Sequence, residues 1–235
     1  MRLLILPESA KVALGTSFVP SVYEVMSDSS RVPLTAMGSV TWQTTNPGIL
    51  GVHVYTGYAV ALAPGKVLVR ADANGLFAFA TISVLNPKAI GPSDALIVDS
   101  FSVIDFQYAS TTPAWAYAPQ IRAHAALGRR ATVLNIQFSL PKLGYTSEWK
   151  RCGALLPQSP VELNGVVIGE WFLAFAADQE LTGGEATATI SFVDDAGTLS
   201  TRTVRGSIVR GSPPEYGQDD GGACFHGYGG YLTLP

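Results

Sequence analysis

The stretch VTWQTTNPGILGVHVYTGYAVALAPGKVLVRA, residues 40–71, decides the fold of this chain. Apolar and polar residues alternate around Trp42, which is the period-2 pattern of a strand with one buried face. Asn46-Pro47-Gly48 then reverses the chain, because Pro presets φ at about −65° and Gly and Asn tolerate positive φ. Alternation resumes, and Pro64-Gly65 forms a second corner. The stretch therefore predicts short strands joined by tight turns.

The tryptophan in this stretch fits the centre of a β-sandwich. The core between two packed sheets is only about 10 Å thick, so one indole crosses much of it. We therefore predict that Trp42 is a core residue. Val52 and Val54 are expected to point into the same core from the strand that follows.

Alternating runs rich in β-branched and aromatic residues recur through the first third of the chain, where helical periodicity is nearly absent. Asn74-Gly75 lies between two such runs and predicts a hairpin with a tight primed turn. The predicted strands of this region are Arg2–Leu6, Lys11–Leu14, Ser21–Ser27, Ser39–Thr44, Leu50–Tyr55, Tyr58–Ala63, Gly65–Ala73 and Leu76–Val84.

A second β-rich region follows an interval rich in Pro and Gly at residues 85–95. Within it, Asp195-Ala196-Gly197 predicts another hairpin turn. Residues 118–131 fit either a short helix stopped by Gly128 or a strand, and we favour the strand. The predicted strands are Ala95–Ser100, Val103–Tyr108, Ala131–Leu140, Val161–Leu163, Val166–Ala176, Glu185–Val193 and Leu199–Val209.

The order of the first-region motifs resembles the bacterial immunoglobulin-like domain of group 2. The matching segments are ALGTSFV, VTWQTTNPGILGV, GYAVALAPGKVLVRAD and FAFATISV, which lie within residues 5–85. The chain departs from the family pattern at HVYTGY, where the family usually has Ser or Thr-Val before its Gly, and residues 19–36 align poorly. The resemblance implies a binding or spacer module of surface structures that has no catalytic residues.

These patterns together predict an all-β protein. We place an N-terminal immunoglobulin-like β-sandwich at residues 1–86, a linker at 87–94, a second immunoglobulin-like, sandwich-like domain at 95–211 and an extended Gly- and aromatic-rich arm at 212–235. A Pro-bounded loop and the arm both carry aromatic residues suited to contact with a partner. These candidate contact residues are Trp115, Tyr117, Tyr216, Phe225, Tyr228 and Tyr231.

Composition excludes several classes of protein. Charged residues make up 14% of the chain and hydrophobic residues 47%, which is typical of a well-buried core rather than of disorder. With a net charge of −3 and scattered Lys and Arg, nucleic-acid binding is not expected. We expect Arg129-Arg130 to lie in a solvated turn. No apolar run reaches the roughly 18 residues of a membrane span, so we expect no membrane contact. The N-terminal apolar run, Leu3–Leu6, is shorter than the roughly 7 to 15 residues of a secretory h-region, so we expect no signal peptide.

The sequence contains no motif for catalysis or metal binding. It has no nucleophile elbow, P-loop or dinucleotide-binding pattern, and His53, His124 and His226 are widely separated. The acid pairs Asp194-Asp195 and Asp219-Asp220 fit turns better than a calcium loop, because adjacent strand residues point to opposite faces. We therefore expect no enzyme activity, no metal and no cofactor.

The two cysteines, Cys152 and Cys224, are too far apart in sequence for a redox or metal-binding motif. Three states fit the sequence. The cysteines are free thiols in a reducing cytoplasm, or they bridge the arm to the second domain, or they bridge to a neighbouring subunit.

The sequence favours a structural protein of a bacteriophage particle, such as a capsid decoration, head-fibre, collar or tail-associated protein. Its expected partners are other virion proteins and copies of itself, and its expected location is a virion assembled in the host cytoplasm. A bacterial surface adhesin or spacer, which is extracellular, is the alternative. Binding of a host-surface glycan through Trp115, Tyr117 and the arm's tyrosines is a third hypothesis.

Overall fold

The computed structural model describes residues 2–34, 39–108, 114–163, 172–174 and 182–212 and confirms an all-β protein. Its contacts divide the chain into two compact units, one extending to Lys88 and the other beginning at Ala89. Within the described ranges, no helix is long and apolar enough to cross a membrane.

The first unit has three sheets. A four-stranded sheet has the order β2-β10-β9-β6, and two three-stranded sheets have the orders β1-β4-β5 and β3-β8-β7. The strands are β1 (Arg2–Leu6), β2 (Ser9–Val12), β3 (Ser17–Phe18), β4 (Ser21–Val25), β5 (Arg31–Pro33), β6 (Thr41–Thr44), β7 (Leu50–Val52), β8 (Ala59–Ala61), β9 (Gly65–Ala73) and β10 (Leu76–Val84).

The predicted hairpin at Asn74-Gly75 is confirmed. β9 and β10 pair antiparallel with Ala73 opposite Leu76, and both turn residues have positive φ, 51° for Asn74 and 74° for Gly75. Positive φ at both central residues is the requirement of a type I′ turn, whose twist matches that of the flanking strands.

Trp42 packs inside the first unit. Its side chain is 4% exposed, and it lies on β6 opposite Ala71 of β9. A Cβ built on Gly57, in the turn between β7 and β8, would lie 2.6 Å from Cε2 of the indole. The buried ring therefore packs against the turn between β7 and β8.

The two valines predicted to share the core with Trp42 differ in their burial. Val52 ends β7 and is 1% exposed. Val54 lies beyond the strand, in a turn, and is only half-buried. Its carbonyl oxygen accepts a hydrogen bond of 2.8 Å from the backbone N–H of Trp42. The backbone of Val54, rather than its side chain, therefore holds the strand that carries the tryptophan.

The second unit forms one hydrogen-bonded network. Its main path is β15-β14-β19-β20-β12-β13-β17, and β11, β16 and β18 pair with β20, β14 and β13 respectively. A 3-10 turn covers Pro141–Leu143. The strands are β11 (Ala89–Ile90), β12 (Leu96–Tyr108), β13 (Ala114–Ala125), β14 (Ala131–Leu140), β15 (Tyr145–Thr146), β16 (Lys150–Leu155), β17 (Val161–Glu162), β18 (Phe172–Ala174), β19 (Glu185–Asp194) and β20 (Thr198–Arg210).

This network closes on itself as a sandwich. β12 and β14 are three strands apart along the path, which would separate them by about 14 Å in a flat sheet. Yet the rings of Phe101 on β12 and Phe138 on β14 stack with centroids 6.2 Å apart. Both rings belong to a single cluster of buried residues that draws on six strands. The parallel pairing of β12 with β20 connects the two layers.

One sequence expectation for the second unit is wrong and another is confirmed. The separate strands expected at 95–100 and 103–108 are one strand, β12 (Leu96–Tyr108), which has an irregularity between Val98 and Ser100. Residues 118–125 lie in a strand, as favoured, and Gly128 adopts a positive φ of 72° in the turn that follows.

Residues 89–94, expected to be part of a linker, belong to the second unit. Ala89 and Ile90 pair in parallel with Thr198 and Leu199 of β20. The Ser93 hydroxyl donates a 2.8 Å hydrogen bond to Oδ2 of Asp194. Polar, Pro-rich composition led to the linker assignment, but the backbone of this segment is hydrogen-bonded to the domain that it enters. The predicted arm lies outside the described residues from position 213 onwards.

Candidate functional site

The solvent-facing side of the four-stranded sheet carries two exposed aromatic residues. Phe77 and Phe79 of β10 are 57% and 39% exposed, and their rings pack edge to face with centroids 5.7 Å apart. On β9, Asp72 lies opposite Phe77 and Arg70 lies opposite Phe79. We call these four residues the outer aromatic face.

The polar residues of the outer aromatic face hold one another in place. The Arg70 Nε–H donates to Asp72 Oδ1 at 2.9 Å, and the Arg70 Cζ lies 4.8 Å from the Phe77 ring centroid. This cation–π contact, together with the ion pair, holds the guanidinium beside the Phe77 ring. The face therefore presents an apolar centre with a fixed polar margin.

A second polar site lies where the chain enters the second unit. The Arg129 guanidinium binds three carboxylates: Asp94, Asp194 at 3.2 Å and Asp195 at 3.0 Å. These contacts raise the pKa of Arg129, chiefly through the hydrogen bond to Asp195. The pair Arg129-Arg130 was expected to lie in a solvated turn, and the N–H of Arg129 closes that turn while Arg130 is exposed. The Arg129 side chain, which is 31% exposed, also links three segments of the domain.

Asp194 is the buried member of this cluster. Burial opposes its ionisation, but the Thr198 N–H, the Ser93 hydroxyl and Arg129 outweigh that effect, and the pKa of Asp194 is lowered. The bond from Thr198 N–H to Asp194 Oδ1 is 2.8 Å long and closes the predicted hairpin turn. The acid pair therefore forms a turn, as expected, and the guanidinium occupies the space between the carboxylates.

A buried acid and a buried phenol lie near the other end of the same sandwich. Asp105 and Tyr117 are directly opposite each other on β12 and β13 and are almost fully buried. Asp105 Oδ2 accepts a 3.0 Å hydrogen bond from the Thr182 hydroxyl. Burial, and secondarily the charge of Asp105, raises the pKa of Tyr117 to about 12. The phenol is therefore neutral at ordinary pH and acts as a core residue.

The predicted contact residues are not brought together in the described structure. Tyr117 is 1% exposed, so the prediction that it touches a partner is wrong: its ring fills the core between the layers. Trp115 lies on β13, but its side chain is outside the described part of the structure. The remaining candidates also lie outside the described residues, namely Tyr216, Phe225, Tyr228 and Tyr231.

The cysteine on β16 is part of the core. Cys152 is completely buried and disulfide-bonded. Cys224 is the other cysteine of the chain, but it lies outside the described residues, so the pairing between the two stays a prediction.

His53 and His124, the histidines within the described residues, perform local structural roles. The His53 Nδ1 accepts hydrogen bonds from the N–H groups of Tyr55 and Thr56, at 3.3 and 3.2 Å. The His124 Nδ1 lies 2.8 Å from Asp99 Oδ2. Across the described ranges, no group of three or more His, Cys, Asp or Glu side chains is placed to hold a metal ion.

No family model matches the chain, and no curated protein matches it. Among solved structures, domains 4 and 5 of the S-layer protein SbsC share 15% identity over 88% of this chain and 96% of that one, with a TM-score of 0.28. The BSP domain of a biofilm-associated protein shares 12% sequence identity over 91% of this chain and 30% of that one, with a TM-score of 0.23. Extracellular cadherin domains 1–4 of protocadherin gamma B7 share 12% sequence identity over 88% of this chain and 49% of that one, with a TM-score of 0.27.

At these identities and TM-scores, the overlaps carry no argument about function. The resemblance of residues 5–85 to the group 2 bacterial immunoglobulin-like domain stays a prediction. The function must therefore be argued from the surfaces of the two sandwiches themselves.

Proposed function

We propose that this chain is a non-enzymatic structural module that acts through protein–protein contacts in an extracellular assembly. The outer aromatic face carries the proposal. Phe77 and Phe79 lie on the side of β10 that faces solvent, beside each other and within a fixed polar margin. Adjacent exposed aromatic rings are unfavourable in water and favourable in the centre of an interface, where burial of an aromatic side chain contributes most to binding.

The partner that fits this face is another protein. The rings meet at an interplanar angle of 69°, so they do not form the flat platform on which a sugar ring would stack. They form a ridge that suits an apolar groove of a folded partner. Arg70 and Asp72, at the margin of the ridge, would fix the orientation of the partner protein through charge-assisted hydrogen bonds.

The assembly that we propose is a bacteriophage particle, in which the chain contacts other virion proteins and copies of itself. The sparse charge, 14% of residues, and the succession of two β units suit a decoration, head-fibre, collar or tail-associated component. A bacterial surface layer or adhesin is the second candidate. The disulfide of Cys152 favours it, because disulfides persist outside the reducing cytoplasm.

Co-sedimentation separates these settings. Labelled full-length chain is mixed with purified phage particles and, separately, with purified cell envelopes from the source of the gene. We expect it to sediment with one of them. The double variant F77S/F79S is expected to bind at least about tenfold more weakly, since each ring contributes about 1 kcal/mol or more to such a contact.

The matched control is Leu127→Ser, which removes an apolar side chain that is 94% exposed in the second unit. It should bind as the unmodified chain does. Equal binding by F77S/F79S, with an unchanged melting temperature, would show that the outer aromatic face is not the contact surface. Sedimentation with neither fraction would contradict the proposed assembly itself.

A further inference from the structure

The first unit has a second, cationic feature at the open end of its three-stranded sheet. A cavity of about 320 Å³ is lined by Arg2, Val25, Met26, Ser29 and Arg31. Arg2 of β1 lies opposite Val25 of β4, and Val25 lies opposite Arg31 of β5. Residues directly opposite one another in an antiparallel sheet project from the same face. Both arginines therefore flank the same valine on one face.

The spacing of the two arginines suits a single small anion. Their backbones are separated by two strand spacings, about 10 Å. Two arginine side chains are long enough to reach one anion between them from opposite sides. A guanidinium presents its donors as a rigid fork that pairs with two oxygens of a phosphate or carboxylate. Two forks facing one cavity can therefore bind the three terminal oxygens of a phosphate ester and leave its ester oxygen free.

The charge of this cavity is not neutralised by neighbouring acids. Among the described residues, Arg2 and Arg31 form no ion pair with a carboxylate, unlike Arg70 and Arg129, which do. The acid nearest in sequence, Asp28, does not line the cavity. Its Oδ1 accepts hydrogen bonds from the N–H and hydroxyl of Ser30, at 2.9 and 2.6 Å, and these bonds lower the pKa of Asp28.

The loop beside the cavity keeps a hydroxyl at a position that favours glycine. Ser29 has a φ of +66°, and the N–H of Met26 donates to the Ser30 carbonyl at 3.0 Å to close the loop. A left-handed conformation costs a non-glycine residue about 1 kcal/mol or more. The serine lines the cavity, where its hydroxyl is a further donor that glycine would lack.

We propose that this Arg2–Arg31 cavity binds the phosphate group of an organic phosphate ester. Its volume is several times that of a phosphate ion and matches the lower range of small-molecule sites, roughly 300 Å³, so it has room for a group of sugar size. The site is separate from the outer aromatic face, and the proposal does not depend on the assembly function.

The test uses two-dimensional 15N NMR of the full chain. The probes are glucose 6-phosphate, inorganic phosphate and glucose, each added at constant ionic strength with sodium chloride. Both phosphates should shift the amide signals of residues 25–31 and the Nε–H signals of Arg2 and Arg31, with glucose 6-phosphate binding more tightly. Glucose alone should shift none of them.

Variants separate a built site from general attraction to positive charge. Arg2→Gln and Arg31→Gln should each weaken phosphate binding about tenfold, because each removes one charge-assisted contact. Ser29→Gly should raise the melting temperature while weakening binding. Lys66→Gln, which removes an exposed charge of the same unit outside the cavity, should leave binding within twofold.

Three results would overturn the proposal. The first is an absence of shifts at residues 25–31 with either phosphate. The second is an equal loss of affinity in Lys66→Gln, which would indicate unspecific attraction. The third is inorganic phosphate binding as tightly as glucose 6-phosphate, which would reduce the site to a simple anion site and refute the ester.

Discussion

Trp42 lies beside small side chains on the buried face of its sheet. Trp42 of β6, Ala71 of β9 and Ala78 of β10 lie side by side in register on the buried face of the sheet. The row thus combines one large indole with the methyl groups of two alanines. Phe77 and Phe79 belong to the opposite face and project into solvent. The same pairing register places Trp42 and the two alanines in the core and the two phenylalanines in solvent.

The choice of buried face explains why the sequence predicted that Trp42 is a core residue but missed the outer aromatic face. In the run LFAFATISV, alternation predicts a strand but does not state which side is buried. Hydrophobicity alone would have placed the phenylalanines inside. The signal that could have found them is the register of Ala71 and Ala78 beside Trp42, and register is set by pairing between distant segments.

The contact between Trp42 and Gly57 gives a residue-scale prediction. Gly57→Ala should lower the free energy of unfolding of the first unit by about 3 kcal/mol, because the new methyl meets the indole and the residue has a φ of +70°. Gly75→Ala is the matched control, with a φ of +74° and no atom within 4 Å of its Cβ. Urea denaturation followed by circular dichroism measures both. Equal losses would mean that backbone strain, not the ring contact, sets the cost.

Tyr117 gives a prediction at alkaline pH. Its pKa is raised to about 12 in the folded chain, above the ordinary value of 10.0. Folding therefore favours the neutral phenol: this stabilisation is fully present below pH 10 and is lost as the pH rises towards 12. Tyr117→Phe should flatten the fall in stability between these values. Urea denaturation at several pH values measures this slope, and an unchanged slope in Tyr117→Phe would contradict the prediction.

At the scale of strands, turns that depend on local chemistry were predictable. Asn74-Gly75 and the Asp195 turn adopt the expected hairpins because positive φ and side-chain acceptors act within four residues. β13 was harder to predict because it contains Pro119, which cannot donate a ladder hydrogen bond. Pro119 lies in the gap between the β18 partners at residues 115–117 and the β17 partners at 122–123. β13 thus contains a proline in its interior, although proline usually ends a strand.

The junction of the two layers in the second unit gives an element-scale prediction. A Cβ built on Gly206 of β20 would lie 2.2 Å from the Phe101 carbonyl oxygen of β12, so Gly206→Ala should force these parallel strands apart. We expect a loss of about 3 kcal/mol and faster amide exchange across β12. Gly91→Ala, with ordinary φ and nothing within 4 Å of the new methyl, should change neither. Unchanged exchange in Gly206→Ala would contradict the role of this junction.

At the scale of the whole molecule, the cysteines distinguish the two units. The chain has two cysteines, Cys152 and Cys224, and both follow residue 88, so reduction should act on the second unit alone. If they pair with each other, the bridge closes a loop of about 70 residues and stabilises the second unit by about 4 kcal/mol through the unfolded state. Denaturation with and without reductant should then move one transition and leave the transition of the first unit, followed through the indole N–H signal of Trp42 in NMR spectra, in place. Peptide mapping without reductant identifies the pairing. Two unmoved transitions would show that the bridge adds no stability, and a covalent dimer would place it between copies of the chain.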